Sequence, residues 1–437
     1  MLQEKSGRTS HVRCVELPAL IASFLLCTSV CLANIDTAEY SFLQELYNST
    51  LGSTWLNGSA AGWDFSSDPC TWQGLSCNVD GTHVTVLNMT GFGISGSVPY
   101  TIGSLIDLEY LDIQNNSFTG SIPASVSNMV NLTYLNAGNN NFDGPFPVSS
   151  TNLTKLEVLN LESNHFNSSI PASIGNLSNL QHLHLSENNL SGSIPTTLSN
   201  LVQLQVLSIH HNKLSGPLHE GLCNLTSLEY LQLHNNGLTG SIPSAIGNLT
   251  FMKSLTINHN ILKGGIPASV GEGMKDLEIL HLQFNKLSNS VPDNLLALTE
   301  LRQLMLHNND LNGTLPSPPN FNASAHVSKL EEFSIRNNFL SGHIPSGFGN
   351  LTELRELYIN QNNLVGTIPE SLGAMTKLRK LYIHNYGLTG VIPIAVRKLY
   401  KNLQDLVICP SEYVGGQWQC KTQTPDVCFS NTNYECG

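Results

Sequence analysis

Residues Leu228 to Pro243 read LEYLQLHNNGLTGSIP. Leucines stand at Leu228, Leu231 and Leu233 and an asparagine at Asn236. Leu238, Gly240, Ile242 and Pro243 complete the pattern. It returns from Met252 as MKSLTINHNILKGGIP and precedes itself from Leu204 as LQVLSIHHNKLSGPLH, at a period of twenty-four. Such a unit cannot bury its apolar face alone; stacked copies can, so a fixed period of this length means a solenoid. Outward from this stretch, a proline column runs Pro99, Pro123, Pro147, Pro171, Pro195, Pro243, Pro267, Pro292, Pro316, Pro345, Pro369 and Pro393, with His219 in one place. That makes thirteen full units from Val84, and Leu403, Leu406 and Ile408 open a partial one. Five extra residues before Pro345, within 317–327, are expected to bulge as a loop and leave the stack intact.

Alternation inside the unit predicts a strand, with Leu231 and Leu233 inward and Tyr230, Gln232 and His234 outward. The asparagine column, from Asn116 through Asn236 to Asn362, turns the chain. Its amides can satisfy backbone groups of the neighbouring unit, which leucine could not. The terminal units break the column with Phe92 and Tyr386. The Gly-x-Ile-Pro segment reads as extended, followed by a short helical turn such as 245–249.

The 437-residue chain is only 12% charged and carries a net charge of −12 with no Lys/Arg cluster, which argues against nucleic acid. Residues 1–33 read as an export signal: Lys5, Arg8 and Arg13 precede an apolar run from Leu17 to Ala33, with small residues placed for cleavage before Asn34. An uncleaved N-terminal anchor is the alternative, and it would tie the chain to the cell surface. No second long apolar run follows, so the mature chain is expected not to span a membrane. Cys70 and Cys77 precede the array, and Cys409, Cys420, Cys428 and Cys436 follow it. Behind an export signal these read as disulfides: Cys70 with Cys77, and one of three connectivities among the last four. Cys223 stands alone inside a unit and reads as a small buried core residue. Fourteen sequons mark candidate glycosylation sites: Asn48, Asn57, Asn88, Asn115, Asn131, Asn152, Asn167, Asn176, Asn189, Asn224, Asn248, Asn312, Asn322 and Asn350. Ahead of the array, a helix is expected from Asp36 to Asn48, capped by Asp36 with Glu39 closing a capping box. The tryptophans and short disulfide loop behind it would cover the raw face of the first unit. The chain thus divides into a signal (1–33), an N-terminal cap (34–83), the repeats (84–408) and a Cys-rich C-terminal cap (409–437).

The units resemble plant-type extracellular leucine-rich repeats, LxxLxLxxNxLxGxIP, and Trp63…Asp68-Pro69-Cys70-Thr71-Trp72 through Cys77 is similar to that family's N-terminal cap. The C-terminal tail, with four cysteines around Trp418, departs from the family's short paired-cysteine cap. The resemblance implies an α/β repeat fold, a right-handed solenoid with a parallel β-sheet on its concave face and disulfide-bearing caps. Such arrays form the ectodomains of receptor-like kinases and receptor-like proteins, and the whole of polygalacturonase inhibitors. Family members bind peptides, proteins or glycans on the concave sheet or its edge.

No phosphate loop, kinase catalytic loop, nucleophile elbow or zinc-protease motif occurs, and no enzyme or cofactor is expected. The informative signal is the histidines. Nine of fifteen fall on outward strand positions or just before the asparagine: His182, His184, His210, His211, His234, His259, His281, His307 and His384. Tyr110, Tyr134, Tyr230, Tyr358 and Tyr382 share that face with Gln232. Three readings compete: ordinary polar residues on an exposed sheet, a ligand face whose affinity changes as histidines gain charge near pH ~6.5, and a metal site on His184, His210 and His234. No close carboxylate or cysteine completes that ligand set, so no metal is assigned. The expected function is a secreted or cell-surface recognition protein holding a peptide, protein or glycan on the concave face. The alternatives are an inhibitor of an extracellular polysaccharide hydrolase, or a structural or ice-binding surface. The last would want flat Thr or Asn ladders, and the outward columns here are mixed.

Overall fold

The computed structural model describes residues 35–56, 62–147, 151–318, 328–385, 387–407, 411–414 and 417–420. The export signal, Asn57, Asn322, Tyr386, Cys409, Cys428 and Cys436 lie outside the described residues, as do the side chain of Cys420 and most of the insertion. Inward leucines, one pair per unit, pack into a continuous core, with Leu231 and Leu233 nearly inaccessible. Among the described residues the main sheet has fifteen strands in chain order. Fourteen are parallel, one per unit from Val84–Asn88 to Asp405–Val407, and same-column residues face each other: Val206 pairs with Tyr230 and Tyr230 with Ser254. The insertion leaves the stack intact, since Gln303–Met305 pairs directly with Glu332–Ser334. The Leu-x-Gly segments do more than extend. They form short parallel sheets of their own, such as Lys213–Pro217 against Gly237–Thr239. In most units a glycine in this segment adopts a left-handed backbone (Gly240, φ 76°). Five-residue 3₁₀ turns such as Ser244–Asn248 then follow the proline.

The asparagine column holds the units in register. Asn164 is buried; its Nδ2 donates to Leu161 and Glu162 carbonyls in its own unit and to Ala137 in the one before, and its Oδ1 accepts from the Phe142 N–H. The last unit was expected to break this column at Tyr386. Asn385 instead takes the role, accepting from the Asn362 N–H and donating to Ile359 and Ile383 carbonyls. A side chain one position early thus reaches the Ile359 and Ile383 carbonyls. From Asn116 to Asn362 the residue before each asparagine of the column is held at positive φ, for example His211 (50°), Asn235 (55°), His259 (51°) and Phe284 (56°). Left-handed backbone at a non-glycine residue is unfavourable by about 1 kcal/mol. The array imposes it, and so aims this column back over the concave face.

The N-terminal cap forms helix α1, Thr37–Ser49, with Asp36 capping the N–H groups of Ala38 and Glu39. Glu39 does not close a capping box. Its buried carboxylate accepts from the Val84 N–H (2.8 Å) and pairs with His83 (2.9 Å), tying the helix to the first repeat strand. Burial raises the Glu39 pKa in spite of those bonds, and the bond to Glu39 raises that of His83. Trp55, Trp63 and Trp72 pack edge-to-face and tilted beside Tyr47 and Phe65. The Cys70–Cys77 bond is formed. Leu75–Cys77 adds an antiparallel strand to the first repeat, so the open edge is covered by backbone pairing as well as by the tryptophans. Near the other end, Ser411–Val414 and Gln417–Cys420 make an antiparallel hairpin. Cys223 is buried and unbonded, and burial pushes its thiol up to about 11, which makes it inert.

Candidate functional site

The outward residues form columns that run across the strands, and the tyrosines and histidines of the concave face fall into separate groups along them. At the N-terminal end the rings of Tyr110 and Tyr134 stack at 4.3 Å, and the Tyr110 hydroxyl donates to Asp112 (3.2 Å). Burial and Asp112 push the Tyr110 pKa upward. His182 and His184 follow, on one strand, with rings parallel at 6.2 Å. In the centre His210 and His234 stack at 4.2 Å, and the ring of His211 stands edge-on to both at 5.3 Å. His234 Nδ1 lies 3.3 Å from Thr256 Oγ1, and His211 Nε2 lies 3.1 Å from the Asn235 amide. Tyr230 and Gln232 occupy the neighbouring columns of the same strand. Beyond lie His259 stacked on Phe284 (4.3 Å), with His307 edge-on to Phe284 (5.3 Å). His281 bonds to Gln303 (3.0 Å). Tyr358 and Tyr382 stack at 5.1 Å near the C-terminal end, beside His384, which lies 3.3 Å from the Asn360 amide. Here Tyr358 donates to Glu356 (2.8 Å), which also pairs with Lys380 (2.9 Å). One edge of the sheet carries an ion-pair ladder, Glu278–Arg302–Glu331–Arg355.

Two of the three readings of the histidines change. One had them gaining charge near their ordinary pKa. Instead burial lowers His184, His210, His234, His259, His281 and His307, with His234 and His307 brought to about 4. For His234 the neighbouring His210 adds to the effect, and for His307 Arg336 does. The imidazoles of His234 and His307 are therefore neutral over the range in which a free histidine would switch. The trio considered for a metal, His184, His210 and His234, does not meet. His184 stands one unit back and two residues along, roughly 8 Å from the His210 position by strand spacing. The ring that joins His210 and His234 is His211, on the left-handed column. Beside it lies a groove of about 560 Å³ lined in part by Ser163, Glu187, Asn188 and His211. Sequence reading also missed Phe284, although it occupies the same place in its unit as His259. Counting histidines hid an aromatic in the same column.

This sheet, with its covered edge and patterned outward columns, is built from stacked repeats, and the chain belongs to the leucine-rich-repeat proteins. Models of that family match residues 80–215 (leucine-rich repeat region), 227–249 and 328–388 (leucine rich repeat), and the leucine rich repeat N-terminal domain matches 36–78. A putative leucine-rich repeat receptor-like serine/threonine-protein kinase of Arabidopsis thaliana is 30% identical over 99 residues, 23% of this chain and 10% of that protein. The crystal structure of PEPR1-AtPEP1 is similar over 84% of this chain and 50% of its own, with 31% identity and a TM-score of 0.73. The plant peptide hormone receptor RGFR1 in complex with RGF2 is similar over 77% and 56%, with 31% identity and a TM-score of 0.69. The chain thus spans about half the length of those two solved chains, and its match covers about a tenth of the curated kinase. A plant ice-binding protein, 22% identical with a TM-score of 0.54, shares the fold. The matched regions are repeats and cap, and no enzyme domain is evident in the chain. Among the described residues no helix is long and apolar enough to cross a membrane.

Proposed function

We propose that the chain is a secreted or cell-surface recognition protein that binds an extended peptide across the strands of its concave face. The observation that carries this reading is the track of stacked rings: Tyr110–Tyr134, His210–His234, His259–Phe284 and Tyr358–Tyr382. Flat rings presented in pairs offer large contact area with few rotamers to freeze, and the hydrogen-bonding groups beside them give direction. At about 4.8 Å per strand, the track from Tyr110 to Tyr382 is roughly 50 Å long, enough for about 15 extended residues. The likeness to receptors solved with peptide hormones supports a peptide over a folded protein or a glycan. Neutral imidazoles in the centre favour polar or apolar side chains there, and the Glu356–Lys380 end favours charge.

The test is capture. Immobilised protein should retain one or more peptides from native extracellular material, and synthetic copies should bind at micromolar affinity or better. Replacing His210, Tyr230 and His234 together by alanine removes contacts made by outward side chains only. The variant should keep its circular dichroism and melting temperature and lose at least tenfold in affinity. Undiminished capture by the folded triple variant sinks this site.

A further inference from the structure

The centre of the concave face holds a grouping that peptide recognition does not require. One ligand-capable nitrogen each from His210, His211 and His234 lies within 4.8 Å of the other two. We propose that these three imidazoles form a binding site for a divalent transition-metal ion of the zinc or copper class. The assignment stands apart from the peptide reading.

Zinc and copper take imidazole nitrogens at about 2.0–2.1 Å, so three ligands on a tetrahedron sit roughly 3.3 Å apart. Closing the present arrangement needs a movement of about 1.5 Å at the ring tips, within the reach of small χ1 and χ2 rotations. The scaffold brings the rings together: His210 and His234 stand in one column of adjacent strands with centroids 4.2 Å apart, and ligation needs the stacked rings to tilt so that their nitrogen lone pairs converge. His211 is turned toward them by its left-handed backbone. Outer partners are also in place. The Thr256 hydroxyl at His234 Nδ1 can accept that ring's N–H, which leaves Nε2 for the ion. Asn235 can do the same for His211 by turning its amide oxygen to Nε2, which leaves the other ring nitrogen. His210 Nδ1 is buried with no hydrogen-bond partner in the described structure, a polar atom for which the peptide-free fold has no use. Glu187 lines the adjoining groove beside His211 and supplies counter-charge.

The other histidine groups lack this combination. His182 and His184 are two, on one strand. Phe284 comes between His259 and His307, and His281 is taken by Gln303. Among the described residues only His210, His211 and His234 make a set of three. Three imidazoles leave a fourth coordination position for water or for a donor from whatever ligand the face holds.

The experiment uses untagged, chelator-treated protein of the full secreted chain, titrated calorimetrically with zinc chloride and, separately, copper sulfate at pH 7.5. One ion per chain should bind with a dissociation constant of micromolar or below, and the copper-loaded protein should show nitrogen hyperfine splitting in its electron paramagnetic resonance spectrum. His211→Ala and His234→Ala should each weaken binding by at least tenfold, and Thr256→Val by about tenfold through loss of the outer partner. His182→Ala, with the same loss of one histidine elsewhere on the face, should leave it unchanged. Circular dichroism of each variant separates lost ligation from lost fold. Absence of saturable uptake at 100-fold excess over micromolar protein, or equal binding by folded His211→Ala and His234→Ala, overturns the proposal. The readout is metal uptake by the isolated protein, so failure here leaves peptide capture untouched, and failure of capture leaves this site untouched.

Discussion

At the residue scale, the concave face is decided by what surrounds each outward side chain. His307 illustrates it. Burial lowers its pKa from 6.5 to about 4, assisted by the charge of Arg336 and by His259 and His281, the titratable and charged groups that act on it. Its folded-state pKa lies below its unfolded value. Above pH ~6.5 the ring is neutral in both states and the contribution is fully present. As pH falls from 6.5 toward 4 the unfolded chain takes up a proton that the folded chain refuses, and stability drops. The full linkage would be about 3 kcal/mol, and partial exposure of the ring reduces this to about 2 kcal/mol. Urea unfolding at pH 7.5 and 4.5 should therefore show a smaller pH-dependent loss in His307→Gln than in the parent chain, by about 2 kcal/mol. An identical loss in both would show that the ring titrates normally.

At the scale of the element, each unit is a strand, a turn and a 3₁₀ segment joined to its neighbours by the asparagine ladder. The leucine and asparagine columns were legible in the sequence because period and alternation report directly which side chains face inward. Two things were not legible. The left-handed residue before the asparagine carries no sequence signature, since Asn, His, Glu, Gln, Ser and Phe all occupy it. Glu39 had the spacing of a capping box, yet docking of the cap gave its carboxylate a better partner in the Val84 N–H. The ladder supports a quantitative expectation. Asn164→Ala would strip the Phe142 N–H and the carbonyls of Ala137, Leu161 and Glu162 of their side-chain partner in a buried turn. It should lower stability by about 2–4 kcal/mol in urea unfolding. The same change at Asn235, outside the ladder, puts alanine on a left-handed backbone and should lower it by only about 1 kcal/mol.

At the scale of the molecule, stability is a sum over units and their interfaces, and the ends matter because each has one interface too few. The N-terminal cap supplies the missing partner with a helix, three tryptophans, a bonded cysteine pair and an added strand. Sequons bear on the same scale. Asn152, Asn176, Asn224, Asn248 and Asn350 are exposed at the 3₁₀ segments, away from the main sheet, while Asn88 and Asn115 are exposed at the N-terminal end of the sheet near Tyr110. Glycopeptide mass spectrometry of secreted protein should find glycans on the first set, which leaves the ring track open. Unmodified asparagines at all five would count against passage through a secretory compartment.

The sequence by itself determined the solenoid, its unit length, the inward columns, the position of the first cap and the face on which side chains vary. It could do so because a repeating unit converts local periodicity into global order: once one strand's inward residues are known, all are. It did not determine which outward residues meet. LEYLQLHNNGLTGSIP names Tyr230, Gln232 and His234 as free to vary, yet the partners of His234 are His210 and His211 from the unit before and Thr256 from the unit after. Those contacts depend on strand register, on ring orientation and on a left-handed turn residue. Only the stacked structure fixes all three, because each is set by atoms of a neighbouring unit about twenty-four residues away.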